Sequence, residues 1–254
     1  MTEIELELLV ELHMSGDRQG PGSNETTLQA LQLTGLDLTK PLKVADIGCG
    51  TGASTLVLAK HLEGQITAVD IFPEVLAKLE QRAAEQGLQD KITTLQCSMD
   101  ALPFSANGFD LIWSEGAVYN MGFENGIRAW RKFLKPEGLL VVSESVWLTT
   151  ERPQPIEDFW NTAYPEIDTV ANKIKVLEQN GYLPLAHFVL PENCWTDKYY
   201  TPLEARIPKF LQKHPDDEVA KQVVEEHYEE IKMYQEYKQY YSYGCFIAKK
   251  LADE

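Results

Sequence analysis

"KVADIGCGTGAS", residues 43–54, constrains the fold more tightly than any other stretch of the chain. An apolar run ends at Asp46, and Gly48, Gly50 and Gly52 follow at alternate positions. An unbroken apolar run reads as a strand covered on both faces, as in a parallel sheet. The glycines remove side chains where the backbone turns sharply and where a ligand comes close. "ASTLVLAKHL" follows with helical spacing, so the loop opens onto a helix start whose free N–H groups face whatever it holds. In an open α/β sheet such a loop lies beyond the carboxyl ends of the strands, where ligands bind. Two ligand readings remain open at the loop. Gly48, Gly50 and Ala53 satisfy the G-x-G-x-x-G/A dinucleotide pattern. Asp46 to Gly52 also reads D-x-G-x-G-x-G.

The remaining segments repeat the alternation. "QITAVDI", "KITTLQCSM", "GFDLIWSEG" and "LLVVSESVW" read as strands. "PEVLAKLEQRAAEQG" reads as a helix opened by Pro73, and "ENGIRAWRKFLKPEG" as a helix closed by Pro136 and Gly138. Strand–helix alternation of this kind means βαβ units and a doubly wound parallel sheet. Upstream, Ile4, Leu8 and Leu12 recur at helical spacing. "SGDRQGPGSNETT" is a loop, and Ser23 or Asn24 caps a helix that Gly35 stops. After Trp147 the pattern changes. "VANKIKVLEQNG" reads as a helix, "YLPLAHFVL" as a strand, then about 45 polar and aromatic residues as helix, and "YGCFIAKK" as a closing strand.

The 254 residues suit one large α/β domain, and 44% hydrophobic residues suffice for a sizeable core. A net charge of −16 repels phosphate backbones and anionic membrane surfaces, which argues against a nucleic-acid partner. Cys49, Cys97, Cys194 and Cys245 are scattered, with no C-x-x-C pair to indicate a metal site. The acidic N-terminus and the absence of an 18-residue apolar run predict a cytoplasmic protein without stable membrane insertion.

Three further positions bear on the ligand. Asp70 ends the second strand, where a carboxylate accepts both hydroxyls of a ribose. Asp100, in "CSMDALPF", follows the third strand on the same edge and is placed to accept from an adenine amino group, with Met99 against the ring. "FDLIWSEG" ends in polar Ser114 and Glu115 at the mouth of the same edge.

Taken in order, "VADIGCGTG", "AVDIFP", "CSMDALPF", "FDLIWSEGA" and "LKPEGLLVVSE" resemble the motif series of class I S-adenosylmethionine-dependent methyltransferases, over roughly residues 40 to 145. The likeness is greatest to the small-molecule branch that includes ubiquinone/menaquinone C-methyltransferases. It implies a Rossmann-like seven-stranded sheet with an antiparallel last strand, an N-terminal helical lid and a helical insertion near the C-terminus. It implies a single domain over 1–254, with lid helices in 1–40, a donor-binding core in 41–146, an acceptor-side region in 147–242 and the last strand in 243–254. It also implies S-adenosyl-L-methionine as the cofactor, released as S-adenosyl-L-homocysteine. Asp46, Gly48, Cys49, Gly50 and Gly52 would contact the methionine part, Asp70 and Ile71 the ribose, and Met99, Asp100 and Ala101 the adenine. Such a donor carries an ammonium and no phosphate, and Asp46 suits an ammonium where it would repel a pyrophosphate.

Methyl transfer from a sulfonium is an in-line displacement, so position and a dry pocket supply much of the rate. Glu115 is the candidate base and equally, with Ser114, a contact for the donor's methionine part; His13 and His187 are weaker base candidates. Arg18 is the expected partner of the donor carboxylate, on a loop expected to fold over the donor. Trp147, Phe159, Trp160, Tyr164, Trp195, Tyr199 and Tyr200 suit a planar, quinone-like small-molecule acceptor, and equally a core or a homodimer interface. The alternatives are an NAD(P)-dependent oxidoreductase and a non-catalytic donor-binding protein. For the oxidoreductase, the Tyr-x-x-x-Lys pairs Tyr228/Lys232 and Tyr234/Lys238 fall on an acidic C-terminal helix, where both read as helix surface.

Overall fold

The computed structural model describes residues 2–252. Its centre is one sheet. The parallel strands are β1 (Leu42–Ile47), β2 (Gly64–Asp70), β3 (Ile92–Gln96), β4 (Phe109–Glu115) and β5 (Leu134–Trp147). A two-residue strand, β6 (Asp168–Thr169), flanks β5, and β7 (Tyr182–Val189) and β8 (Tyr241–Lys250) complete the sheet. The order is β3-β2-β1-β4-β5-β8-β7, with β8 antiparallel to both neighbours. This is the expected seven-strand path with an antiparallel last strand. Residues 253–254 of the expected terminal segment lie outside the described residues.

Strand order reverses at β1, which pairs with β2 on one side and β4 on the other. The loops after β1 and β4 therefore diverge and leave a crevice at the carboxyl edge. β1 is buried along nearly its whole length because helices cover both sheet faces. On one face α5 (Phe123–Arg131) and α7 (Val170–Gln179) bury Ile127, Trp130 and Leu177. On the other, α2 (Asn24–Leu33) and α3 (Ala53–His61) bury Leu31 and Leu58 against Trp113 and Ile247. α4 (Pro73–Glu85) completes the β2–β3 crossover.

A third layer roofs the carboxyl edge. α1 (Glu3–Met14) packs against α8 (Thr201–Lys213) and α9 (Glu218–Tyr237). Leu8 and Leu12 enter this layer, but Ile4 is 58% exposed because the packed stripe starts a turn later. Trp195, Tyr199 and Tyr200 are buried within the chain in the same layer, so those rings form core and not a surface for a second copy. α6 (Gln154–Ala163) has no counterpart in the sequence reading. Among the described residues no helix is long and apolar enough to cross a membrane.

One boundary differs from expectation. The helix expected to run to Gly138 ends at Arg131, and "LKPEG" already belongs to β5. Leu134 pairs with Phe109, the register slips, and pairing resumes at Leu111 with Leu139. The chain accommodates the slip with Glu137 in the left-handed region, φ 60°. A non-glycine residue there costs about 1–2 kcal/mol, while glycine costs roughly 0.5–1 kcal/mol of unfolded-chain entropy. Glu137→Gly is therefore expected to raise stability by about 0.5–1 kcal/mol, read from the midpoint of urea unfolding. An unchanged or lowered midpoint would show that the strand absorbs the slip without strain.

Candidate functional site

The crevice is an open cavity of about 750 Å³. Gly48, Cys49 and Gly50 form part of its floor. Gly48 and Gly50 both have positive φ, and each is hemmed in. A Cβ on Gly48 would lie 2.3 Å from Ala117 Cβ, and one on Gly50 would lie 2.4 Å from Gln19 Oε1.

Asp46 fixes this loop from beneath. Its carboxylate is wholly buried, and Oδ2 accepts from Ser54 Oγ at 2.8 Å and Thr55 Oγ1 at 2.6 Å. Those hydroxyls come from the first turn of α3, so Asp46 joins the strand to the helix across the glycines. Oδ1 has no partner. Burial pushes the Asp46 carboxyl from 3.8 up to about 7, against the pull of the two hydroxyls. Asp46 does not reach the cavity wall, and neither do Gly52, Ala101 and Ser114. Gly52 caps α3. Ser114 is fully buried, and its Oγ lacks a partner.

Asp70, at the end of β2, does face the cavity. Its Oδ2 accepts from the Gly50 N–H at 2.9 Å and its Oδ1 from the Phe72 N–H at 3.1 Å. Burial raises its pKa, and those backbone donors oppose the rise. Ile71 beside it is 53% exposed and lines the same wall. Met99 and Asp100 line the wall beyond β3, where Trp130 Nε1 donates to the Met99 carbonyl at 3.0 Å.

Glu115 is fully engaged. Oε2 accepts from Arg18 Nη1 at 2.8 Å, and Oε1 accepts from Thr27 Oγ1 at 2.8 Å and Trp113 Nε1 at 3.0 Å. A carboxylate held by three donors anchors the strand end, and it lines the same cavity. The same geometry holds Arg18. It lines the cavity, but its guanidinium is bound to Glu115 and, through Nη2, to Thr27 at 2.9 Å. The segment following α1 is further tied down by Gln19. Its Nε2 donates to Thr51 Oγ1 at 2.8 Å, and its Oε1 accepts from the Thr51 N–H at 3.1 Å.

The opposite wall comes from α1 and α9. His13 and His227 approach at 2.9 Å between their Nε2 atoms, with Glu230 one turn further on. His227 Nδ1 lies 2.7 Å from the Val223 carbonyl, so it carries a proton. In the neutral pair His227 Nε2 therefore accepts and His13 Nε2 donates. That leaves His13 Nδ1 with a lone pair and no partner. Burial, then the neighbouring His227 and Arg206, lower the His13 pKa to about 3. His187 instead sits in β7, stacked on Phe246.

Gln19, His227 and Glu230 were missed in the sequence. His227 was findable: Val223, Val224, His227, Ile231 and Tyr234 mark one buried stripe of α9. Tyr234 lies in that stripe, stacked on Trp195 at 4.6 Å, so its expected surface position is corrected. Tyr228 is 46% exposed, and neither tyrosine lines the cavity.

Residues 44–138 match the family described as "methyltransferase domain". The chain is 19% identical to a solved S-adenosylmethionine-dependent methyltransferase from Geobacter sulfurreducens in complex with S-adenosyl-L-homocysteine. The TM-score is 0.84, over 96% of this chain and 98% of that one, and the fold is that of class I methyltransferases. Among curated relatives, it is 32% identical over 112 residues to an uncharacterised methyltransferase of Bacillus subtilis, covering 44% of this chain and 46% of that protein. A sterol 24-C-methyltransferase of Gibberella zeae is 31% identical over 111 residues, covering 43% of this chain and 29% of that protein. The chain thus spans less than half the length of these two relatives.

Two outcomes are expected. Arg18→Ala leaves the Glu115 carboxylate without its cation in a half-buried site. It should lower unfolding free energy by about 3 kcal/mol, measured by urea titration of the ligand-free protein. No loss would mean Thr27 and Trp113 suffice for Glu115. Asp46, whose pKa is raised on folding, contributes stability that is full below pH 4 and lost as pH rises towards 7. Asp46→Asn should therefore flatten the decline in stability between about pH 4 and 7, and an unchanged slope would place the titration on another group.

Proposed function

We propose that this chain transfers the methyl group of S-adenosylmethionine to a small-molecule acceptor, working as one unit with residues 147–242 on the acceptor side. The observation that carries the reading is Asp70, a cavity-facing carboxylate hydrogen-bonded to the Gly50 N–H of the glycine loop. The residues fit such a donor in three respects. Asp70 keeps lone pairs for ribose hydroxyls, the glycine floor admits close approach, and buried Asp46 Oδ1, beneath the loop, keeps an unpartnered acceptor that a donor ammonium would reach through water. When bound, the donor supplies a methyl group already activated on a sulfonium.

The chain's own residues supply position and exclusion of water. Asp70 and Ile71 hold the ribose end, and Met99 and Asp100, with Ala101 behind them, the adenine end. The methionine end lies over Gly48, Cys49 and Gly50, with Asp46 and Gly52 fixing the loop from behind. Glu115 acts through Arg18, holding the segment Arg18–Pro21 against the cavity. Ser114 supports β4 behind it. The small acceptor is supported by the roof of α1, α8 and α9 over the carboxyl edge, which favours a molecule that enters a chamber. The dinucleotide alternative is disfavoured by Tyr228 and Tyr234, which lie away from the cavity.

Calorimetry with S-adenosylhomocysteine tests the donor reading. The wild-type protein should bind it and ignore NAD and NADP, and Asp70→Asn should weaken binding about 10- to 100-fold, or roughly 1.4–2.8 kcal/mol. Binding of NAD without the sulfur ligand would overturn the reading. Transfer of label from methyl-labelled donor into a metabolite extract separates an enzyme from a non-catalytic binding protein.

A further inference from the structure

Behind the shared wall of Tyr119, Tyr199 and Glu230 lies a second chamber of about 220 Å³. Five further rings line it, Phe159 and Trp160 from α6, then Tyr164, Trp195 and Tyr243, beside Gly116, Ser145, Ala163 and the segment 19–21. The rings meet at steep angles. Tyr119 meets Tyr164 at 72°, Phe159 meets Trp160 at 88°, and Trp195 meets Tyr243 at 78°. Rings set this way enclose a volume on several sides, as a stack cannot. Trp160 Nε1 is buried with no partner, so this wall is not a fully satisfied piece of core.

Among the described residues the charged side chain lining the small chamber is Glu230, while Lys173 Nζ lies outside it, 5.6 Å from the Tyr164 ring centroid. Glu230 accepts from the Tyr200 hydroxyl at 2.9 Å through Oε1, and its Oε2 has no hydrogen bond among the described residues. Behind Tyr164 stands a second carboxylate, Glu144, which accepts from the Tyr164 hydroxyl at 3.1 Å. Among the described residues no lysine or arginine lines the small chamber. Among the described residues the one arginine of the larger cavity, Arg18, is bound to Glu115. Aromatic faces carry the negative end of the ring quadrupole and attract cations. An anionic head group would meet carboxylate and ring faces without a counter-charge. A neutral planar ring would stack but gain nothing from Glu230. A cation gains from both.

We infer that this chamber is the acceptor subsite and that it takes an amine head group, so that the chain methylates nitrogen. The inference rests on the donor reading above and adds the class of acceptor. An ammonium entering the chamber gives a proton to the Glu230 carboxylate. The freed nitrogen lone pair then attacks the donor methyl carbon. The N–C bond forms as the C–S bond breaks, and the C–S electron pair returns to sulfur, which becomes a neutral thioether. The positive charge leaves sulfur and appears on nitrogen, where the ring faces meet it, while Glu230 holds the proton it took.

The test uses the full chain saturated with S-adenosylhomocysteine, titrated calorimetrically with choline and with its uncharged carbon isostere, 3,3-dimethylbutan-1-ol. Choline should bind at least tenfold more tightly. Glu230→Gln and Trp160→Leu should each erode that preference at least tenfold, and Trp160→Leu, which lies outside the donor cavity, should leave S-adenosylhomocysteine affinity unchanged. If one variant fails to fold, the other carries the test. Labelled methyl should pass to primary or secondary amines and not to hydroquinones or phenols. Equal binding of choline and its isostere, or label appearing in hydroquinones alone, overturns the inference. Failure of the protein to bind S-adenosylhomocysteine at all counts against the donor reading. Good donor binding without cation preference sinks only the amine.

Discussion

The arrangement of this site depends on one carboxylate at the end of β4. Glu115 receives Arg18 from the segment after α1, Thr27 from α2 and Trp113 from its own strand. The N-terminal segment thereby meets the end of a strand 88 to 97 residues further along the chain. A carboxylate buried to this extent is costly to strip of its partners, so the segment over the cavity is held by a charge that cannot be left alone. Gln19 adds the second tie, onto Thr51 of the glycine loop, so the same segment grips both edges of the crevice.

Beneath the loop, Asp46 holds strand to helix in a different way. Its hydrogen bonds come from neutral hydroxyls, and no cation lies among its hydrogen-bond partners. The site therefore combines a satisfied carboxylate, Glu115, with carboxylates whose ionisation burial opposes, Asp46 and Asp70. A cationic ligand arriving at the loop would relieve that opposition. Acidic composition alone would have drawn the same sign, but it would not have placed the deficit at the strand ends.

Much of the sheet was legible because the core strands are continuous apolar runs separated by glycine and proline signals. Asp70 and the Met99–Asp100 turn were legible because strand ends in a parallel sheet share one edge. The failures have physical causes. "RKFLKPEG" has helical composition, yet pairing with β4 extends β5 back to Leu134, and tertiary pairing overrides local preference. α6 was missed because two prolines and charged residues obscure a short amphipathic turn. Arg18 and Glu115 were each placed at the site, but an ion pair 97 residues apart leaves no local trace. His227 and Glu230 reach the cavity only because α9 folds back over the sheet edge.

The positions of the tryptophans give the molecule a built-in optical signal. Of the five, Trp113 and Trp130 are sealed in the layers on either side of the sheet, and Trp147 is nearly so. Trp160 and Trp195 line the smaller chamber. The emission of the protein is thus divided between indoles sealed from solvent and a pair that registers what fills the chamber. Red-edge excitation or quenching by a small neutral quencher would separate the two populations, so occupancy can be followed in real time without any label on protein or ligand.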